Sequence, residues 1–455
     1  MRHAWGAAFV TCLWVSGCGQ PTPPNDGVEE RENGQSTAIV RATLIDGSGA
    51  PPVEDATVVV RDERIVAAGP SADVAVPGDA TVFDASGRFL IPGLVDLHNH
   101  YGGGREGLER LFALQLEFGV TTARSLGADG PENLAVIADA KAGRIPAPRL
   151  YTAGAGFSHP RGMPPGDVIQ RPTTTEEARQ MVRALAADDV DLIKMWVDAT
   201  LDGRLAWSFD WNDGKAPIPK ISTQIRTALV QEAARHGLPA VAHIYEEADV
   251  RQLNSVGVRH FVHTVRDAPV DDGFAEWARR QALSFAPALS KAQDSWFMAE
   301  HPEVLEDPTL VRAWGKERVD RMKSAETRAA MLANPQDAQL RKVYARMQRF
   351  TGQMHEAGVA IALGSDSGAG NVPFGWGTHH ELALLVAAGL TPSQAIRAGT
   401  ANGAWVLEGD DATFGTISPG MSADLVLLSG DPTVEIGNSR SIERVMRAGR
   451  WLGED

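Results

Sequence analysis

Apolar runs of strand length alternate with helix-period segments through the middle of this chain, the pattern of repeated β-α units on a parallel sheet. In order, the strand-like runs are Gly93–His98, Val120–Arg124, Arg149–Ala153, Asp191–Val197, Leu238–Tyr245, Arg259–Thr264, Ala282–Pro287 and Val359–Asp366. Leu108, Leu111, Phe112 and Leu116 mark one helical face between them, and Ser222 opens a further helix that Gly237 closes. Eight such units predict a TIM (β/α)8 barrel, whose reactive groups sit at the carboxyl ends of the strands. The stretch Lys291 to Gln336 is expected to add helices above the barrel mouth.

The flanks read differently. Ala38–Ile45, Thr57–Val60, Arg64–Ala68 and Thr81–Phe83 are short β runs punctuated by Gly and Asp turns, and Asp424–Leu428 and Glu443–Trp451 repeat the pattern near the other end. The two ends are therefore expected to pair into one small β-sandwich domain, formed by residues 37–91 and 409–455 around a barrel of residues 92–408. Before this body, Arg2 and the apolar stretch Ala4 to Val15 have the form of a signal peptide, residues 1–18. Val15-Ser16-Gly17-Cys18 resembles the bacterial lipobox, which implies cleavage before Cys18 and a lipid anchor on its sulfur. The polar, Pro-containing residues 19–36 would be the tether. Gly19 is not an Asp-type retention signal, so the resemblance implies the outer membrane, periplasmic face.

Composition narrows the chemistry. With 455 residues, 43% of them hydrophobic, the chain can bury a large core; its net charge of -15 argues against a nucleic-acid partner, whose phosphates call for a basic face. The only cysteines are Cys12 and Cys18, so a metal held by the folded body must use His, carboxylate or modified Lys. His98 and His100 close the first run, and in a strand of period two they project from one face while Asn99 points the other way. Two neutral imidazoles so placed can grip one divalent ion. Alone, a His-x-His is weak evidence, because it is more often incidental. Lys194 in the fourth run, His243 in the fifth, His263 in the sixth and Asp366 at the end of the eighth carry the weight.

Pro-Gly-Leu-Val-Asp-Leu-His-Asn-His, Leu-Ile-Lys-Met-Trp, Val-Ala-His-Ile, Phe-Val-His-Thr and Leu-Gly-Ser-Asp-Ser together resemble the amidohydrolase superfamily, and within it the imidazolonepropionase-like and zinc prolidase-like branch. The resemblance covers nearly all of the chain after the tether. It implies two divalent metal ions, Zn by preference, held by His98, His100, His243, His263, Asp366 and a Lys194 carbamylated by carbon dioxide. Four imidazoles and a carboxylate are donors enough for two ions that share a hydroxide, whereas an unmodified ammonium among cations would be repelled. Asp366 would ligate and also carry the proton from the attacking water to the leaving nitrogen. Tyr245, whose position carries a Tyr in similar branch members, and the loop residues His159 and His380 are candidate substrate contacts.

The expected activity is hydrolysis of a small-molecule amide, peptide or cyclic amide C–N bond by a metal-bridged hydroxide. The same hydroxide would serve an ester, lactone or phosphotriester. A non-catalytic solute-binding lipoprotein is the alternative of another class, and a homo-oligomer is compatible with each. Replacing Cys18 by Ser is expected to move the protein from the membrane pellet to the soluble fraction with its fold intact. A Cys18→Ser protein that still sedimented with membranes like wild type would remove the lipobox reading.

Overall fold

The structure, a computed structural model, describes residues 36–199 and 219–453. The signal peptide, Cys18 and nearly all of the tether lie outside the described residues. Among the described residues no helix is long and apolar enough to cross a membrane.

Five strands open the described chain: β1 (Ser36–Leu44), β2 (Val53–Arg61), β3 (Arg64–Pro70), β4 (Thr81–Asp84) and β5 (Phe89–Pro92). Then come β6 (Leu94–Asn99), β7 (Val120–Ser125), β8 (Arg149–Thr152), β9 (Ile193–Val197), β10 (Ala240–Ile244), β11 (His260–Val262), β12 (Ser284–Ala286) and β13 (Ala360–Ile361). The last three are β14 (Leu425–Leu428), β15 (Ile442–Arg447) and β16 (Arg450–Trp451).

Both ends of the chain meet in one eight-stranded sheet of order β16-β15-β14-β5-β1-β2-β3, with β4 beside β1. β1 pairs with β4 through residues 37–40 and with β5 through residues 43–44, and Arg41 between them sits at φ 65°. Such a left-handed residue is the local kink that lets one strand serve two neighbours. The run expected as one strand over Glu443–Trp451 is instead a hairpin, broken by Ala448 at φ 48° and Gly449 at φ 77°. Ile39, Val58, Leu90, Leu425 and Met446 lie in a core of this sheet's own.

β6 to β13 correspond one for one to the eight strand-like runs, all parallel, divided between a three-stranded sheet β6-β7-β8 and a five-stranded sheet β13-β12-β11-β10-β9. Backbone hydrogen bonds cross both gaps. Asp191 N donates to Thr152 O (2.9 Å) and Phe157 N to Lys194 O (2.8 Å) on one side. On the other, Leu97 N donates to Leu363 O (3.1 Å) and His100 N to Ser367 O (2.8 Å). Leu126, Ala153, Leu192, Val241, Val262 and Ala286, in or beside six successive strands, pack into a small core of their own. The larger core lies where helices cover the strands. Helix starts follow the sequence signals, Ser222 accepting from Ile225 N (3.3 Å) and Thr391 forming a full capping box. Between β12 and β13 the chain forms the series of short helices expected over Lys291 to Gln336, and then a long helix, Asp337–Glu356, beyond that stretch.

Glu381, on the helix Trp376–Ala387, is fully buried and accepts from Leu289 N (2.9 Å) and Ser290 N (2.7 Å), which fixes the first turn after β12. Burial raises its pKa from 4.5 to about 7 against those hydrogen bonds. A carboxyl whose folded pKa is raised lends stability below its unfolded value, and that stability drains away as pH climbs through the folded one. Wild type is therefore expected to lose stability between about pH 4.5 and 7 from this group. Glu381→Gln, weaker overall because one acceptor is lost, should show a flatter profile over that window by denaturant titration. Parallel profiles would refute it.

Candidate metal centre

Four of the predicted donors sit at or just past the carboxyl ends of three parallel strands, drawn from both sheets. His98 lies in β6 and His100 one residue beyond it; His243 is in β10; His263 follows β11 directly. Asp366 lies past β13, which is shorter than its sequence run because the chain leaves the ladder after Ile361. His263 (φ 66°) and Asp366 (φ 60°) both hold left-handed backbones. For non-glycine residues that conformation is sparsely populated and persists only where the surroundings impose it, commonly at functional sites.

His98 Nε2 and His100 Nε2 stand 3.4 and 3.1 Å from Asp366 Oδ1, and His263 Nε2 is 3.7 Å from Oδ2. His98, His100 and Asp366 offer ligand atoms within 4.8 Å of one another, close enough to hold one metal ion. The His243 ring packs at 4.1 Å from His263, and the His263 ring at 5.2 Å from His98. Lys194 is fully buried beneath them, its Nζ 5.3 Å from the Trp196 ring.

Burial pushes the His98 pKa well below its usual value, with Lys194, His100 and His243 adding to the fall and Asp366 opposing it. His263 is lowered in the same way by burial, then by His243, Arg266, His98 and Lys194. Asp366 behaves oppositely. Burial would raise its carboxyl, yet His98 and His100 hold it far below the usual carboxylate range. Burial thus favours neutral rings at His98 and His263, and the contacts from His98 and His100 favour an anionic Asp366, the protonation states a divalent cation requires of its ligands. Among the described residues the buried Nδ1 of His98 has no hydrogen-bond partner, and this donor set fits a divalent ion.

A cleft of about 430 Å³ opens onto these groups. Met163, Pro164, Pro165, Ile169 and Trp196 make its apolar wall, and Lys291 and Asp294, paired at 3.2 Å, bring charge to the lining. Trp196 occupies a slot that only glycines leave open: a Cβ on Gly127 would lie 2.7 Å from its ring, and one on Gly156 2.4 Å. Trp196 thus walls the cleft rather than the core, and its ring stacks on His100 at 6.3 Å.

The three expected substrate contacts lie elsewhere, and none lines the cleft among the described residues. β10 ends at Ile244, so strand alternation no longer governs Tyr245, whose ring packs 5.2 Å from the Arg266 guanidinium. His159 closes a turn by accepting from Arg161 N (3.0 Å). His380 lies not in a loop but on the helix Trp376–Ala387, half-buried against Trp376 at 4.8 Å with Nε2 2.6 Å from Gln293 Nε2, and desolvation lowers its pKa to about 3.

Pattern reading also passed over Asp96. Its buried Oδ1 accepts from His98 N (3.1 Å) and Ser365 N (3.0 Å), and its Oδ2 from Ser365 Oγ (2.6 Å) and Thr378 Oγ1 (2.7 Å). One carboxylate so ties the His98 backbone to the residue before Asp366. The available signal was a lone acid inside an apolar run, which folding tolerates only when its oxygens are satisfied.

The residues 89–452 match the model of the amidohydrolase family. The chain belongs to that family, and the protein is a hydrolase. It is 24% identical to an ochratoxinase of Aspergillus niger, over 93% of this chain and 89% of that one. It is 27% identical to an imidazolonepropionase of Symbiobacterium thermophilum, over 84% and 85%. Among solved structures it resembles a putative prolidase from Bifidobacterium longum with a TM-score of 0.73 and 26% identity, covering 92% of this chain and 95% of that one.

Asp96→Ala strands two buried backbone donors that cannot turn elsewhere, a cost on the order of 3 kcal/mol. Asp96→Asn should lose much less, since the two hydroxyls can reverse to accept the amide. Equal denaturation midpoints for the two variants would show that Asp96 does not hold the site together.

Proposed function

We propose that this hydrolase cleaves the C–N bond of a small-molecule amide, a dipeptide, N-acyl amino acid or cyclic amide, at a divalent metal centre. The observation that carries the reading is the His98–His100–Asp366 group, within ligand distance in a cleft large enough for such a substrate. The eight parallel strands, with hydrogen bonds across both gaps, are read as a TIM barrel whose carboxyl-end rim carries the donors. His243, His263 and a carbamylated Lys194 would complete a two-ion site, Zn by preference, since two cations would repel an ammonium there and favour an anion. A lipid anchor at Cys18 would hold the enzyme at the periplasmic face of the outer membrane.

Bound metal would polarise the scissile carbonyl and acidify the attacking water. Asp366 takes the proton that water sheds and passes it to the departing nitrogen, the task of a carboxylate at the junction of donor group and cleft. Trp196 and Ile169 receive the apolar part of the substrate and keep bulk water from the carbonyl.

Zinc-loaded protein is expected to hydrolyse members of a dipeptide and N-acyl amino acid panel. Asp366→Asn, which keeps shape and one oxygen donor, should retain bound metal while kcat falls by roughly two to four orders of magnitude. Turnover of lactones with no amide cleaved would overturn the substrate class. Near-normal kcat in folded, metal-replete Asp366→Asn would remove Asp366 from proton transfer.

A further inference from the structure

His243 Nε2 lies 2.9 Å from Oδ2 of Asp198, just past the end of β9. Arg266, three residues after His263, reaches the same pair: its Nη2 is 3.5 Å from Asp198 Oδ2 and 3.3 Å from His243 Nε2. All three side chains are buried, at 3% exposure or less. The two partners make opposite demands on one ring nitrogen. A carboxylate only accepts, so Asp198 requires a proton on Nε2; a guanidinium only donates, so Arg266 favours a bare Nε2 and a proton on Nδ1. Asp198 is the nearer, and it also takes up the guanidinium that would otherwise compete.

We propose that Asp198, steadied by Arg266, is the positioning residue that fixes His243 as its Nε2–H tautomer, so that the nitrogen it presents to a metal ion is Nδ1. Imidazole ligands are commonly set this way, by a carboxylate on the nitrogen that does not bind the metal. The inference rests on the metal-centre reading above. Asp198 and Arg266 stand outside the donor group and act on it through His243. This arrangement also explains why a charged Arg is tolerated beside a metal ligand: Asp198 occupies it.

Nitrogen-15 NMR of histidine-labelled, metal-free protein reads the tautomer directly, with the His243 signals identified by their loss in His243→Asn. Wild type is expected to show Nε2 as the protonated, pyrrole-like nitrogen and Nδ1 as the bare, pyridine-like one. Asp198→Ala should invert that pattern, since Arg266 becomes the remaining polar partner of Nε2 in this trio. It should also weaken one zinc site by about 10–100-fold, read by zinc titration without substrate. Asp198→Asn, whose carbonyl oxygen can still accept, should keep the wild-type tautomer and most of the affinity. Asp198→Ala combined with Arg266→Met should recover part of the loss, which a merely structural role for Asp198 does not predict.

A bare Nε2 in wild type overturns the proposal whatever the variants do. Unchanged zinc affinity in folded Asp198→Ala overturns it as well. Wild type that bound no zinc while showing the Nε2–H tautomer would instead count against the metal centre.

Discussion

The metal centre depends on bringing together two stretches remote in sequence, β6 with its two histidines and the irregular segment that carries Asp366, and Asp96 is the joint. Its carboxylate accepts four hydrogen bonds, from the His98 backbone, from both Ser365 donors and from Thr378. Burial raises its pKa, and those bonds oppose the rise. A buried carboxylate so satisfied is rigid, since every displacement breaks a hydrogen bond that water cannot replace. Asp366 can then hold its left-handed backbone among the imidazoles, and the anion beside neutral rings is a consequence of that placement.

The candidate donors were legible in outline. Period-two alternation placed His98 and His100 on one face, and the rule that reactive groups gather at the carboxyl ends of parallel strands drew in His243, His263 and Asp366, whereas Lys194 is the second residue of β9. All eight central strands were legible too, because buried parallel strands are continuous apolar runs. Their ends were less so: β13 is two residues long where a run of eight was expected, since hydrogen bonding rather than apolarity ends a strand. The hairpin at Ala448-Gly449 was hidden because the run was read as one strand through its Ala-Gly turn.

What the sequence concealed was chiefly what acts through partners. Asp198 and Arg266 lie far from His243 along the chain and meet it only in the fold; Asp96 and Glu381 look like stray acids until their hydrogen bonds are seen. Tyr245, His159 and His380 do not line this cleft among the described residues. Tyr245 and His159 follow strand ends, where loop geometry decides direction, and His380 lies on the helix Trp376–Ala387; the apolar wall comes from Met163, Pro164, Pro165, Ile169 and Trp196.

The passage from β5 to β6 takes a single residue, Gly93, where a Cβ would fall 2.0 Å from Thr121 Oγ1. β5 pairs on one side with β1 and on the other with β14, so a strand from the far end of the chain lies against the rod that continues into the histidine pair. A ribosome making this protein emits β5 long before β14 exists. Until β14 is made, that edge of β5 stays open to whatever strand passes, in this chain or another. A strand from much later in the chain therefore closes the sheet that β5 helps to open, and a chain stalled or clipped before β14 would keep its metal-binding histidines yet offer a template for aggregation in place of a finished edge.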